Sequence, residues 1–281
     1  MGGIMALDTA EIREDTSMFA EASSRELVVL SDFDHTLCDT YTFDATTNNH
    51  QPLISEELVA AAGCHHLIVA TGRRANHPSL PSLWDAGLVH PDLPVIAENG
   101  GTLAFHYDEG PGFLDLVDTA DLSLLNKVQE DIANEVISVP EGQRLAFKVG
   151  RTMLLARIQD KDGVCEPHHQ AWLQEQVQPL LPSRLRAVDT RGSVTIQHRD
   201  VDKRSGFQTY LELCGIKRSD IFVVGMGDGP NDKEIFEEAD LRIGFSSAVR
   251  DLVDIDVPAG PQAAPKILAA LQVSAPLRQS V

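Results

Sequence analysis

Leu27–Thr36 reads LVVLSDFDHT, and its interpretation decides the fold. A short, uninterrupted apolar run, Leu27 to Leu30, stops abruptly at two carboxylates, Asp32 and Asp34, and a hydroxyl, Thr36. A run this short, partly β-branched and with no polar alternation, reads as a strand buried on both faces, as in parallel sheets. Acids at the carboxyl end of such a strand lie where open α/β sheets bind ligands. A pair of carboxylates offers a divalent cation hard oxygen donors. One can also attack an electrophile while the other handles a proton. The plain alternative is an acidic loop that caps the next helix.

Downstream, His66 to Ala70 (HLIVA) is a second apolar strand, running directly into Thr71-Gly72-Arg73-Arg74. A hydroxyl, a glycine that admits close backbone approach and a fork of donors make a phosphate clamp, against the alternative of a turn with surface arginines. Between these strands, Cys38 to Gln51 reads as a polar loop, and Ser55 to Ala62 as a helix closed by Gly63. A third strand, Val95 to Ala97, meets Glu98-Asn99-Gly100-Gly101, which is either a hairpin or a hinge where the chain leaves one domain for another. Residues from about 104 to 201 then change texture to helix, hairpin, helix, hairpin, an α+β pattern with an antiparallel sheet. The first of those helices keeps Leu125, Val128, Ile132 and Val136 in step, and the last hairpin is expected to turn at Arg191-Gly192. Strand–helix alternation resumes with Lys203 opening a helix, a fourth strand from Ile221 to Val224, the loop Gly227-Asp228-Gly229-Pro230-Asn231-Asp232, and a fifth strand from Leu241 to Phe245. The expected fold is α/β, a Rossmann-like doubly wound parallel sheet with an inserted α+β domain. Its expected parts are an N-terminal extension over 1–24, a core from 25–102 and 202–281, and an insert over 103–201.

In a parallel sheet such strand ends share one edge, so the acid pair, the hydroxyl with arginine, Lys203 and the glycine-rich acidic loop can converge on one cleft. Together, in this order, these segments resemble the four motifs of the haloacid dehalogenase superfamily. The Glu98–Gly101 hinge and the insert resemble its C2B-cap subgroup (subclass IIB), which includes Cof-like phosphatases, sucrose-phosphate phosphatase, mannosyl-3-phosphoglycerate phosphatase and phosphomannomutase. The resemblance spans about Glu26 to Phe245. It implies a Mg²⁺-dependent phosphomonoester hydrolase with an aspartyl-phosphate intermediate, acting on a sugar phosphate or phosphorylated glycosyl compound. Asp32 would be the nucleophile and Asp34 the acid, then base, with a pKa raised in the closed site. Asp32, the Asp34 backbone carbonyl and Asp228 would hold Mg²⁺. Thr71, Gly72, Lys203 and Asn231 would bind phosphate, with Thr36, Arg73 and Asp232 in supporting positions. Thr36 would orient the first loop, and Arg73 would meet either the substrate or a surface acid. Two departures stand out: His35 where the motif has glycine, expected to face solvent, and Arg204 after the lysine. Lys148, Arg151, Arg157, His168, His169 and Arg191 are the insert's candidates for the leaving group, and His168 and His169 lack a partner at metal spacing. The alternatives are a phosphomutase of the phosphomannomutase type and a non-catalytic sugar-phosphate-binding protein.

The 281 residues carry 42 acidic against 23 basic side chains, a net charge of −19, which disfavours nucleic acid or an anionic membrane as partner but leaves room for a small phosphate ester. No apolar run approaches a membrane span, and the first residues do not read as a secretory signal. Four scattered cysteines without C-x-x-C spacing argue against zinc and fit a reducing cytoplasm. Monomer and dimer both remain open.

Overall fold

The computed structural model describes residues 25–44, 49–134, 139, 141–190, 193–257 and 259–274. The expected extension over 1–24, Val136 and the Arg191-Gly192 turn lie outside the described residues.

The strands, in chain order, are β1 (Glu26–Ser31), β2 (Tyr41–Asp44), β3 (Asn49–Pro52), β4 (His66–Ala70), β5 (Val95–Ala97), β6 (Thr102–Phe105), β7 (Gly112–Asp115), β8 (Arg144–Val149), β9 (Met153–Gln159), β10 (Leu185–Thr190), β11 (Ser193–His198), β12 (Ile221–Gly227), β13 (Leu241–Gly244) and β14 (Ile255–Asp256). Eight of them form one sheet in the order β14-β13-β12-β1-β4-β5-β6-β7. Pairing is parallel from β14 through β5 and antiparallel from there to β7. The α-helices are α1 (Glu56–Ala62), α2 (Pro81–Asp85), α3 (Thr119–Asn134), α4 (Pro167–Val177), α5 (Lys203–Cys214), α6 (Lys233–Glu238) and α7 (Ala264–Ser274).

The uninterrupted apolar strands are buried on both faces because each face carries its own layer. Val29, Val69, Phe222 and Val224 pack with Leu58, Leu83, Trp84 and Leu268 on one side. Val28, Leu30, Ile68 and Val223 pack with Phe207, Tyr210, Leu211 and Ile235 on the other. Adjacent residues of a strand thus serve opposite layers, as period-two geometry demands. Each fully buried side chain of this size contributes roughly 1.5–3 kcal/mol of transfer free energy.

Residues of β8 to β11 form a separate antiparallel sheet in the order β10-β11-β9-β8. Its outer face carries Leu154, Ala156, Ile158, Val194 and Ile196, which pack on Leu125, Val128 and Ile132 of α3 and Leu173 and Val177 of α4. The expected insert begins at 103, but β6 and β7 belong to the large sheet. The hairpin after the hinge extends that sheet by edge pairing, so the separately folded part starts after Asp115. The expected polar loop from Cys38 to Gln51 also contains structure, because β2 and β3 pair with each other as a small hairpin.

Both passages between core and insert are built at the Glu98–Gly101 turn. Glu98 and Asn99 have left-handed backbone, with φ of 55° and 51°. Gly100 has φ of 102°, and a Cβ there would lie 1.8 Å from the Asp202 carbonyl oxygen. The returning chain therefore lies directly against the departing one. The Glu98 carboxylate, wholly buried, accepts from Ala75 N at 2.8 Å on the core side. It also accepts from Arg151 N at 2.8 Å and Thr152 N at 2.6 Å on the insert side. One carboxylate thus pins the two sheets together.

Candidate active site

Strand β1 ends at the centre of the carboxyl edge, between β12 and β4. Asp32, Asp34, Gly72, Arg73, Asp228 and Asn231 line a cavity of about 990 Å³ there, closed from above by the insert's Lys148, Leu155, Arg157, Thr190 and Ser193. Between the two acids, Phe33 is fully buried in the core. Alternation therefore sends both carboxylates to the cleft while Phe33 anchors the loop.

Lys203 sits beneath the cavity floor. A capping box fixes its helix: Ser205 N donates to the Asp202 carboxylate at 2.7 Å, and Asp202 N donates to Ser205 Oγ at 2.9 Å. The lysine side chain is 0% exposed and donates to Asp32 Oδ1 and Asp232 Oδ1, each at 2.6 Å. Burial alone would lower its pKa, but the charges of Asp232 and Asp32 outweigh that and raise it, so the ammonium is held charged. Asp32 itself is pushed well above the usual carboxylate range, by burial first and then by Asp232, with Lys203 acting in the opposite direction. The second oxygen of Asp232 accepts from Asp228 N and Gly229 N, both at 2.9 Å. Asp232 therefore both holds the lysine and folds the loop that presents Asp228.

The carboxylates of Asp32, Asp228 and Asp232 offer oxygens within 4.8 Å of one another. Three buried hard donors beside a single cation fit a hard divalent ion. Thr36, fully buried, donates to Asp228 Oδ1 at 3.4 Å and so lies against the loop. Thr71 is also fully buried; its Oγ1 accepts from Arg73 N at 3.1 Å and its carbonyl from Asn99 N at 3.0 Å. A Cβ at Gly72 would come within 3.0 Å of Asn99 Oδ1.

Asp34 departs from expectation. Arg73 grips it with Nε to Oδ2 at 2.9 Å and Nη2 to Oδ1 at 2.6 Å, and the Tyr41 hydroxyl donates to Oδ1 at 2.5 Å. Burial pushes the Asp34 carboxyl up, but the hydrogen bonds and charge of Arg73 and the Tyr41 hydroxyl outweigh it, and the pKa is lowered. The expected raised pKa is corrected: in this geometry Asp34 is held as a carboxylate. Arg73 likewise meets neither a surface acid nor open solvent; it also contacts Ser79 and lies over the Phe33 and Tyr41 rings. Tyr41 gave no signal in the sequence, because it lies in a polar stretch and reaches the acid only through the β2–β3 hairpin.

His35 adopts the left-handed backbone, φ 62°, which accounts for glycine at this point of the motif, and its side chain lines the cavity instead of facing solvent. Arg204 pairs outside the site with Glu237 at 2.7 Å. Arg151 is bound to Asp115 through two contacts of 2.8 and 2.7 Å, which ties insert to core and removes it from the leaving-group candidates. The His168 and His169 rings lie 4.1 Å apart, tilted by 52°. Among the described residues the acid trio is the one group with metal-ligand geometry.

Residues 164–255 match a family model described as haloacid dehalogenase-like hydrolase. The fold is the one seen in solved haloacid dehalogenase phosphatases. The chain is 22% identical over 244 residues to phosphoglycolate phosphatase 2 of Saccharolobus solfataricus, covering 84% of this chain and 86% of the relative. Among solved structures, the C-terminal domain of the C. albicans trehalose-6-phosphate phosphatase superposes with a TM-score of 0.63 at 13% identity, covering 95% of this chain and 98% of that one. A sugar phosphatase of haloacid dehalogenase subclass IIB superposes with a TM-score of 0.53 at 16% identity, covering 82% and 92%. Among the described residues no helix is long and apolar enough to cross a membrane.

Proposed function

We propose that the chain is a Mg²⁺-dependent phosphatase that hydrolyses a small phosphomonoester, with a sugar or other polyhydroxylated leaving group, through an aspartyl-phosphate. The observation that carries this reading is the environment of Asp32. Its carboxylate lines the cavity, Lys203 lies 2.6 Å away, and Asp228 and Asp34 share the same walls. The relatives support the reaction class: a phosphoglycolate phosphatase and a trehalose-6-phosphate phosphatase share the cleavage of a phosphate ester and differ in the leaving group.

In the first step an Asp32 oxygen attacks phosphorus and the bond to the leaving oxygen breaks, with Asp34 supplying a proton to the departing alkoxide. In the second, Asp34 takes a proton from water, the water oxygen attacks phosphorus, and the acyl-phosphate bond breaks to release inorganic phosphate and restore Asp32. Asp34 starts as a carboxylate held by Arg73, so the acid role requires Arg73 to be drawn away. An arriving phosphoryl group competes for the same guanidinium fork and does this. Lys203 and the buried Thr71 turn meet the phosphoryl oxygens at the floor. Asp32, Asp228 and the Asp34 carbonyl would hold Mg²⁺, which would neutralise phosphate charge so that the anionic Asp32 can approach. Four free cysteines support a reducing cytoplasm as its location.

The test is phosphate release by purified protein from a panel of phosphomonoesters, with and without Mg²⁺, with Asp32→Asn as control. Mg²⁺-dependent release that vanishes in Asp32→Asn is expected. Folded protein that binds Mg²⁺ yet releases no phosphate from any ester would overturn the reading.

A further inference from the structure

The cleft wall above the acids is built to receive negative charge a second time. In the β8–β9 register Lys148 stands opposite Leu155 and Ala146 opposite Arg157, so Lys148 and Arg157 are diagonal neighbours on the inward face of the insert's sheet. Thr195 stands opposite Leu155, so Ser193 two residues earlier continues that face, with Thr190 opposite Ser193. From the core side Arg74 reaches up until its Nη1 lies 3.4 Å from the Val149 carbonyl. Arg74, Lys148 and Arg157 all line the cavity. Burial and the charges of Arg157 and Arg74 lower the pKa of Lys148, and burial with Arg157 lowers that of Arg74 against the opposing charge of Glu98.

No direct ion pair relieves this crowding. The chain carries 42 acidic side chains against 23 basic ones, yet among the described residues no carboxylate stands within 4.0 Å of these three cations. Arg157 Nε is buried without any hydrogen-bond partner. The neighbouring cation Arg73 is matched by Asp34 and Arg151 by Asp115. The His77 imidazole, which also lines the cavity, has its pKa pushed down to about 4 by burial and by Arg73, Arg74 and Lys148. Asp34 is bound by Arg73 and Asp32 by Lys203, so Arg74, Lys148 and Arg157 are left for a ligand.

We propose that the leaving group carries an anion of its own, a carboxylate or a second phosphate, seated by Arg74, Lys148 and Arg157 while the scissile phosphate sits at Asp32. This rests on the phosphatase reading and narrows it. A neutral sugar would leave three unpaired cations in a closing cleft, whereas a bis-anionic ester satisfies both ends. The hydroxyls of Thr190 and Ser193 would meet the polar body between them.

The experiment uses matched esters that differ only in the second anion. The carboxylate arm is 2-phosphoglycolate against ethyl phosphate and 3-phosphoglycerate against glycerol 3-phosphate. The phosphate arm is glucose 1,6-bisphosphate against glucose 6-phosphate. The anion-bearing member of at least one arm is expected to have a kcat/KM at least about tenfold higher, and the winning arm names the anion. Arg157→Gln and Lys148→Gln should each pull that ratio down by about tenfold, and Arg157→Lys should retain part of it. Ratios near one in all pairs, in an enzyme that turns the neutral esters over, would overturn the inference while leaving the phosphatase standing. If no ester is hydrolysed the phosphatase reading falls, and calorimetric binding of the same pairs to Asp32→Asn then decides. Tighter binding of the anion-bearing members supports the subsite, and equal or absent binding overturns it.

Discussion

Tyr41 and Arg73 set the charge on Asp34 before any substrate arrives, and this is a testable constraint on the pH profile. Removing the hydroxyl in Tyr41→Phe deletes one donor to the carboxylate and should raise the Asp34 pKa. The protonated form is the acid that releases the alkoxide, so the alkaline fall of kcat/KM should move to higher pH in the variant. An unmoved or downward-shifted limb would show that Asp34 does not titrate in that limb. His77 offers a stability counterpart. Its folded pKa is about 4 against about 6.5 unfolded, so the unfolded chain takes up the proton first as pH falls. The stability is fully present above pH ~6.5 and is lost as pH drops toward ~4. Urea midpoints at pH 7, 5.5 and 4.5 should therefore fall less steeply in His77→Gln than in the parent. At this scale the sequence was legible in kind but not in pairing. Asp32, Lys203, Asp228 and Asp232 carry chemistry that a motif can announce, and the structure brings them together. The grip of Arg73 on Asp34 spans 39 positions, and Tyr41 joins it from a hairpin of weak pattern, so no local signal encodes the pairing.

At the level of elements, the Glu98–Gly101 turn decides whether core and insert stay in register. Glu98→Gln replaces one acceptor oxygen by a donor facing the N–H groups of Ala75, Arg151 or Thr152, and should cost about 2–4 kcal/mol, read as a lower denaturant midpoint. Gly100→Ala should cost at least as much, since its Cβ would overlap the Asp202 carbonyl and its backbone is left-handed. A midpoint unchanged in both variants would mean that the turn relaxes freely. The apolar strands were readable because both-face burial leaves an uninterrupted run, as in β1, β4 and β12. The edges were not. Strand β7 holds three half-buried residues and the exposed Leu114, β14 is two residues long, and β2 pairs only with β3 among the described residues, so none needs a strong apolar pattern. The insert's boundary was misread for the same reason: β6 reads equally well as the last strand of one sheet or the first of another, and only its pairing with β5 decides.

For the molecule as a whole, three separate apolar clusters imply unequal stability. The two layers on the large sheet share β1 and β12 as common support, whereas the insert's cluster draws on its own helices and strands. Amide exchange in mild denaturant should therefore give smaller opening free energies for β8 to β11 than for Val28–Leu30 and Val223–Val224, with the insert amides moving as a group. A single common opening energy would show that the two units unfold together. The two crossings add a further consequence. Leu116 N bonds the Gly101 carbonyl at 2.8 Å, and Asp202 packs on Gly100, so the insert departs from and returns to adjacent residues of one turn. A segment whose two ends nearly touch can be exchanged for another of different length without altering the path of the strands that carry Asp32 and Asp228. The fold is in this sense a socket: its cleavage chemistry can persist through evolution while the recognition surface above it is replaced wholesale, and a graft joined at Asp115 and Asp202 is the place to repeat that exchange by hand.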